Sequence, residues 1–221
     1  MNPIDLSLYL VLDPELCRAS SIEETTRLAV AGGATVVQLR DKEASTARMV
    51  ETGRVLQAIL VGTGIPLIVN DDVEAALTLD ADGIHVGQGD ADATEVRRRI
   101  GPDKLLGLSV HDEASMRALD PTVVDYAGIG PVFATATKPG HKTPIGFDGL
   151  ARLAAQSRVP TVAIGGLKQA HVGHTLDSGV NGLAVVSAIC GHPDPRAAAT
   201  GLRQAIDAWR AARPLKPNFT R

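Results

Sequence analysis

Asp71 and Asp90 are the residues of this chain best placed to do chemistry together. Each follows a short apolar run. Leu67–Val69 ends in Asn70-Asp71-Asp72, and Gly83–Val86 leads through Gly87-Gln88-Gly89 to Asp90. Such runs read as buried strands. Two successive strand ends therefore each present a carboxylate. In a parallel barrel both lie on the rim that carries active sites. Two carboxylates and little else is how proteins hold Mg²⁺ when a substrate supplies phosphate oxygens. The competing reading is that Asn70 or Asp71 only caps the following helix. Asp90 repeats the placement one strand later, which favours the metal.

Cations accompany these carboxylates. Val36-Val37-Gln38-Leu39-Arg40-Asp41-Lys42 reads as a strand running into a loop. Side chains alternate, so Gln38 and Arg40 share a face. If Val37 and Leu39 face a helix layer, Arg40 points inward, which is costly unless it is paired. It either forms an internal ion pair, with an aspartate of a neighbouring strand, or grips an anion at the mouth with Lys42. Arg offers phosphate a planar fork and Lys a point charge. Beside a pair of carboxylates, the two suggest a diphosphate.

Other strand ends carry anion-binding chemistry. Ser109 closes Gly107-Leu108-Ser109 and either donates to a phosphate or starts the next helix. Thr135-Ala136-Thr137-Lys138 lies in a long loop, Gly130–Gly146, and forms a hydroxyl-rich cationic stretch or a solvated surface loop. Long loops in compact domains often serve as lids. Gly165-Gly166 and Val186-Ser187 follow two later strands. Barrels often bind phosphate there, through backbone N–H groups. Tight turns are the plain alternative.

A recurring unit positions these residues: a short β-rich run, then an amphipathic segment. Strands are expected at Leu8–Leu12, Val36–Arg40, Leu67–Val69, Gly83–Val86, Leu105–Val110, Tyr126–Ile129, Thr161–Ile164 and Gly182–Val185. Helices are expected near Ser21–Ala31 with Ser21 and Glu24 as a capping box, at Ser45–Leu60, Val73–Leu79, Ala93–Ile100, Asp112–Leu119, Phe147–Ala155, Lys168–Asp177 and Pro195–Arg213. Eight alternating units give the fold class α/β, a single (β/α)₈ TIM barrel over residues 1–213. Pro214–Arg221 reads as a loose tail. The rival, an open doubly wound sheet, lacks its Gly-x-Gly-x-x-Gly turn.

Composition excludes other classes. The 221 residues carry a net charge of −3 and no basic run suited to nucleic acid. No apolar stretch reaches the roughly 18 residues that span a bilayer, and the N-terminus lacks the basic region of a signal peptide. A cytoplasmic location follows as an expectation. Three Phe, two Tyr and one Trp leave little for an aromatic cage. Cys17 and Cys190 lack metal-ligand spacing and read as free thiols. The six histidines do not converge in sequence. His85, in an apolar strand, reads as a satisfied core residue. No nucleophile elbow or Ser/His/Asp set is present.

Taken in order, Gln38-Leu39-Arg40-Asp41-Lys42, Asn70-Asp71-Asp72, Asp82 through Asp90, Gly130-Pro131-Val132-Phe133 with Thr135 through Lys138, and Ile164-Gly165-Gly166 resemble the thiamine phosphate synthase family. Each motif alone is weak, but the ordered set is specific and covers nearly the whole chain. The resemblance implies a barrel enzyme that joins 4-amino-2-methyl-5-(diphosphooxymethyl)pyrimidine to a thiazole phosphate, releasing pyrophosphate with one Mg²⁺ per subunit. It implies that Gln38, Leu39, Arg40, Asp41, Lys42, Asn70, Ser109 and Lys138 hold the pyrimidine diphosphate. Asp71 and Asp90 would bind Mg²⁺. Thr135, Ala136, Thr137, Gly166, Val186 and Ser187 would hold the thiazole phosphate. Arg40, Lys42 and Lys138 would assist departure of pyrophosphate. Such an enzyme needs small-molecule substrates, no nucleic acid and no membrane, and is compatible with a homo-oligomer. A thiazole tautomerase, a sister barrel, is the nearer alternative, and a non-catalytic phosphate-binding barrel the other. Neither explains both the cationic strand and the carboxylate pair.

Overall fold

The structure, a computed structural model, describes residues 4–135, 137 and 142–213. The expected tail at 214–221 lies outside them. Eight parallel strands pair in chain order and close into a barrel. They are β1 (Leu8–Leu12), β2 (Val36–Leu39), β3 (Leu67–Asn70), β4 (Gly83–Val86), β5 (Leu105–Val110), β6 (Tyr126–Ile129), β7 (Thr161–Ile164) and β8 (Gly182–Val185). Closure is made by β1 and β8, with Leu8 opposite Leu183 and Leu10 opposite Val185. The rival open sheet is thereby excluded.

Strand alternation produces two apolar layers. Val37 and Leu39 of β2 point outward into the core shared with the helices. Val36 points into the barrel with Tyr9, Val11, Ile68, Tyr126, Val162 and Ala184. Residues one apart on a strand face opposite sides, so Gln38 also points inward.

The helices are α1 (Ile22–Ala31), α2 (Thr46–Leu60), α3 (Val73–Leu79), α4 (Ala93–Ile100), α5 (Glu113–Ala118), α6 (Gly146–Gln156), α7 (Val172–Asp177) and α8 (Pro195–Ala211). Three expected starts, at Ser21, Ser45 and Asp112, are one residue early because the polar residue named is the cap. Ser45 accepts from the Arg48 N–H at 3.3 Å, and Asp112 accepts from Ser115 at 2.7 Å. The capping box at α1 forms by half. Ser21 accepts from the Glu24 N–H at 3.2 Å, but the Glu24 carboxylate turns to Arg27 at 3.4 Å. The helix expected from Lys168 begins at Val172, after a single 3₁₀ turn at Gln169–His171. The basic face of α4 has a structural role at Arg97. Its guanidinium bonds the carbonyls of Val123 and Gly101 and pairs with Asp125 at 2.5 Å.

Candidate functional site

The C-terminal ends of the strands surround a cavity of about 420 Å³. Its wall brings together Gln38, Arg40, Lys42, Asn70, Asp90 and Ser109 on one side. Thr135, Thr137, Gly166, Val186 and Ser187 line the other. Leu39 is fully buried in the outer core, so its side chain turns away from this space. Asp41 is not on the wall; its carboxylate accepts the Glu43 N–H at 3.2 Å. Ala136 and Lys138 lie outside the described residues.

The two readings of Asp71 separate cleanly. Asp72, not Asn70 or Asp71, caps α3 by accepting the Ala75 N–H at 2.9 Å. Asp92 does the same for α4. Both candidate metal carboxylates are thus excused from capping. Asp71 has φ +61°, a left-handed conformation unusual for a side-chain-bearing residue. Its N–H donates to the His85 carbonyl at 2.9 Å, which ties β3 to β4 beyond their last paired residues. Asp90 folds back over its turn and accepts the Gly87 N–H at 2.8 Å. A Cβ at position 87 would lie 2.8 Å from that carboxylate oxygen and would push it aside.

Asp71 meets both Lys42 and Asp90. Burial raises its carboxyl above the usual range, the bonded Lys42 ammonium opposes this, and the adjoining Asp90 carboxyl raises it again. Two carboxyls in contact favour a cation between them. All donors here are oxygens, the set that suits a hard divalent ion. Among the described residues no group of three or more His, Cys, Asp or Glu side chains gathers as a metal site. A cation held here therefore needs further oxygens from water or a ligand.

Arg40 forms the internal pair of one reading and stands at the cavity that the other requires. Its guanidinium faces Asp13, beyond the end of neighbouring β1, at 3.8 Å, and it also lines the cavity. At that separation the pair is electrostatic rather than hydrogen-bonded, so the fork stays available to an anion.

Across the cavity the loop after β6 runs beside β7. The Val132 N–H donates to the Ile164 carbonyl at 2.9 Å, and the Phe133 N–H to Gly165 at 3.0 Å. Gly165 and Gly166 both have positive φ, 104° and 66°. A Cβ on Gly166 would come within 2.8 Å of the Ala134 carbonyl oxygen. That close approach sets Thr135 and Thr137 beside Gly166. The two threonine hydroxyls bond each other at 3.1 Å. Lys168, which sequence reading overlooked, donates to the Ser187 hydroxyl at 3.1 Å.

Sequence reading also overlooked the cavity floor. Tyr9, His85 and Tyr126 line it, with Ser109 above. Gln38 donates to Tyr9 at 2.8 Å, Tyr9 meets Tyr126 at 2.8 Å, Tyr126 meets His85 at 3.2 Å, and His85 meets Ser109 at 3.0 Å. His85 is satisfied, as expected, but it belongs to the site. The alternation that found Gln38 on β2 would have found Tyr9 on β1 and His85 on β4. Lys142 and His111 also reach the wall. Cys17 and Cys190 are buried free thiols, as expected, yet barrel closure brings them close enough to influence each other.

Comparison with known proteins shows what this chain is similar to. A family profile described as thiamine monophosphate synthase matches residues 8–189. The chain is 47% identical over 209 residues to a thiamine-phosphate synthase of Xanthobacter autotrophicus, covering 95% of this chain and 99% of that protein. It is 45% identical to a thiamine-phosphate synthase of Chloroflexus aurantiacus, covering 92% and 94%. A solved structure of a thiamine phosphate pyrophosphorylase from Pyrococcus furiosus superposes with a TM-score of 0.84 at 33% identity, covering 94% and 98%. The chain belongs to the thiamine-phosphate synthase family, transferases of thiamine biosynthesis.

Proposed function

We propose that this protein condenses 4-amino-2-methyl-5-(diphosphooxymethyl)pyrimidine with a thiazole phosphate, giving thiamine phosphate and pyrophosphate. One observation carries the reading. A single cavity presents Gln38, Arg40, Lys42 and Asp90 on one side and Thr135, Thr137, Gly166 and Ser187 on the other. The first set suits a diphosphate and the second a monophosphate. A ligand bound to each would place two reactive groups together between them.

The residues fit a Mg²⁺ ion, one per subunit, held by Asp71 and Asp90. When bound, Mg²⁺ supplies positive charge against the phosphate oxygens of the leaving group. Arg40 and Lys42 hold the same oxygens by hydrogen bonds that strengthen as charge develops on pyrophosphate. Lys138 joins them by its place in the sequence. No enzymatic nucleophile is required. The 4-amino group donates electrons into the pyrimidine ring, the CH₂–O bond breaks, and the thiazole nitrogen attacks the resulting pyrimidine-methyl cation. The protein holds the two substrates in contact and keeps water from the cation. Thr135, Thr137, Gly166 and the Val186-Ser187 turn fix the thiazole through its phosphate.

The test is a coupling assay with the purified protein, both substrates and Mg²⁺, read as thiamine phosphate by thiochrome fluorescence. Product that disappears with EDTA is expected. Binding of both phosphates without product would overturn the synthase reading in favour of a tautomerase or a binding protein.

A further inference from the structure

The cavity floor holds a chain of hydrogen bonds whose directions are linked. Gln38, Tyr9, Tyr126, His85 and Ser109 are linked in series across the barrel, with Gln38 on β2 and Ser109 on β5 both lining the cavity. The Gln38 amide nitrogen donates to Tyr9. Tyr9 and Tyr126 are fully buried. Among the described residues, no buried side-chain polar atom lacks a partner. With Gln38 donating to Tyr9, the arrangement in which every proton of the chain finds an acceptor sends the Tyr9 proton to Tyr126 and the Tyr126 proton to Nδ1 of His85. His85 then carries its proton on Nε2 and donates to Ser109. The Ser109 hydroxyl is left to donate into the cavity, while Gln38 keeps its carbonyl oxygen for a ligand.

The strands are shaped around this chain. Interior positions of such barrels are usually filled by bulky branched side chains. Gly107 breaks that rule. A Cβ there would lie 2.2 Å from the Tyr126 ring and 2.4 Å from Nδ1 of His85. Strand β5 gives up a side chain so that the two can meet.

We propose that Tyr9, Tyr126 and His85 are positioning residues that couple Gln38 to Ser109, so that the cavity selects a heteroaromatic ring with a donor at one edge and an acceptor at the other. The proposal rests on the aminopyrimidine reading above and deepens it. The amino group meets the Gln38 oxygen, and a ring nitrogen meets the Ser109 hydroxyl. A 4-oxo ring offers an acceptor where the amino group was. Turning the Gln38 amide to suit it reverses every bond in the chain. Ser109 must then donate to His85 and face the ring nitrogen with a lone pair. The wrong ring is thus penalised at both ends, where an uncoupled glutamine would adapt at one.

Two measurements test this. The first is the affinity of the 4-amino and 4-oxo pyrimidine diphosphates, by calorimetry without thiazole phosphate so that nothing turns over. The wild-type preference for the amino ring should fall by about tenfold or more in Tyr126→Phe, the scale of a buried polar group losing its partner, with thiazole phosphate affinity unchanged. A preference unchanged in that variant would overturn the coupling, since a purely structural tyrosine would weaken both rings alike. The second reads the chain without any ligand: ¹⁵N NMR of the histidines in the wild-type protein at about pH 8, with His85→Gln to assign the signal. The Nε2–H tautomer is expected. An Nδ1–H tautomer, or a doubly protonated ring, would overturn the direction. A wild-type protein that binds neither pyrimidine would defeat the proposed function and the recognition role together, while the tautomer still decides the chain.

Discussion

Lys42 and Asp71 are bound to each other across the cavity rim. In the proposed reaction Lys42 would balance the charge of Asp71 until a cation did, and would then be released toward phosphate. The ionised Asp71 is held against burial and against Asp90, and its carboxyl stands above the usual range. An acid raised on folding is less easily ionised in the folded than in the unfolded chain, so its charge opposes folding at neutral pH. Asp71→Asn should accordingly leave the metal-free protein as stable as before or more so. Thermal melts should show its loss only as the disappearance of stabilisation by Mg²⁺ with diphosphate, together with coupling activity lowered by at least about a hundredfold. Arg40→Lys is a subtler change. It keeps a charge near Asp13 but removes the fork that holds two oxygens at once. KM for the pyrimidine diphosphate should rise about tenfold, for a loss near 1.4 kcal/mol, and KM for the thiazole phosphate should not move. These two residues were legible in the sequence because charges at strand ends are rare and costly. Tyr9 and Tyr126 were not, because an aromatic residue in an apolar strand reads as core and only its partner reveals its use.

At the level of elements, the caps decide which acids are left for chemistry. Asp72 holds the N-terminus of α3 through the Ala75 N–H at 2.9 Å, directly after Asp71. Asp72→Ala should cost about 1 kcal/mol and lower the melting temperature by roughly 2–4 °C for a chain of this size. The Mg²⁺ dependence of the coupling rate should stay within about twofold, because α3 is also held by Val73, Ala75, Ala76 and Leu79 in the core. A large rise in the Mg²⁺ requirement would mean that Asp72 is a ligand. Sequence located all eight strands to within a residue, because short apolar runs bounded by Gly, Pro and Asp leave little choice. It was weakest at α7, where Lys168 begins a 3₁₀ turn and not the helix itself. Polar residues ahead of Val172 gave no sign of that difference, and the bond from Lys168 to Ser187 is a contact between two loops. At α2 and α5 the expected start is the cap itself, where the side chain is helical in function but the backbone is not.

For the whole molecule, alternation of eight short strands with helices, with no Gly-x-Gly-x-x-Gly turn, was enough to favour the barrel over an open sheet. What alternation could not reveal is contact across the seam. Cys17 and Cys190 stand far apart in sequence and meet in the fold. Arg210 of α8 likewise bonds the Ser7 hydroxyl at 2.6 Å, just before β1. The seam between β1 and β8 carries the same parallel pairing as the other seven junctions. Backbone pairing alone does not mark this junction as different from the rest of the ring. The α2–β3 turn offers another opening: Val61 is 80% exposed, and nothing approaches within 4 Å of the Cβ positions of Gly62 and Gly64. It lies on the rim opposite the cavity. A circular permutant that begins in this turn, with the original ends joined by a short linker, should fold and retain coupling activity within about tenfold. Circular dichroism and the thiochrome assay would check it.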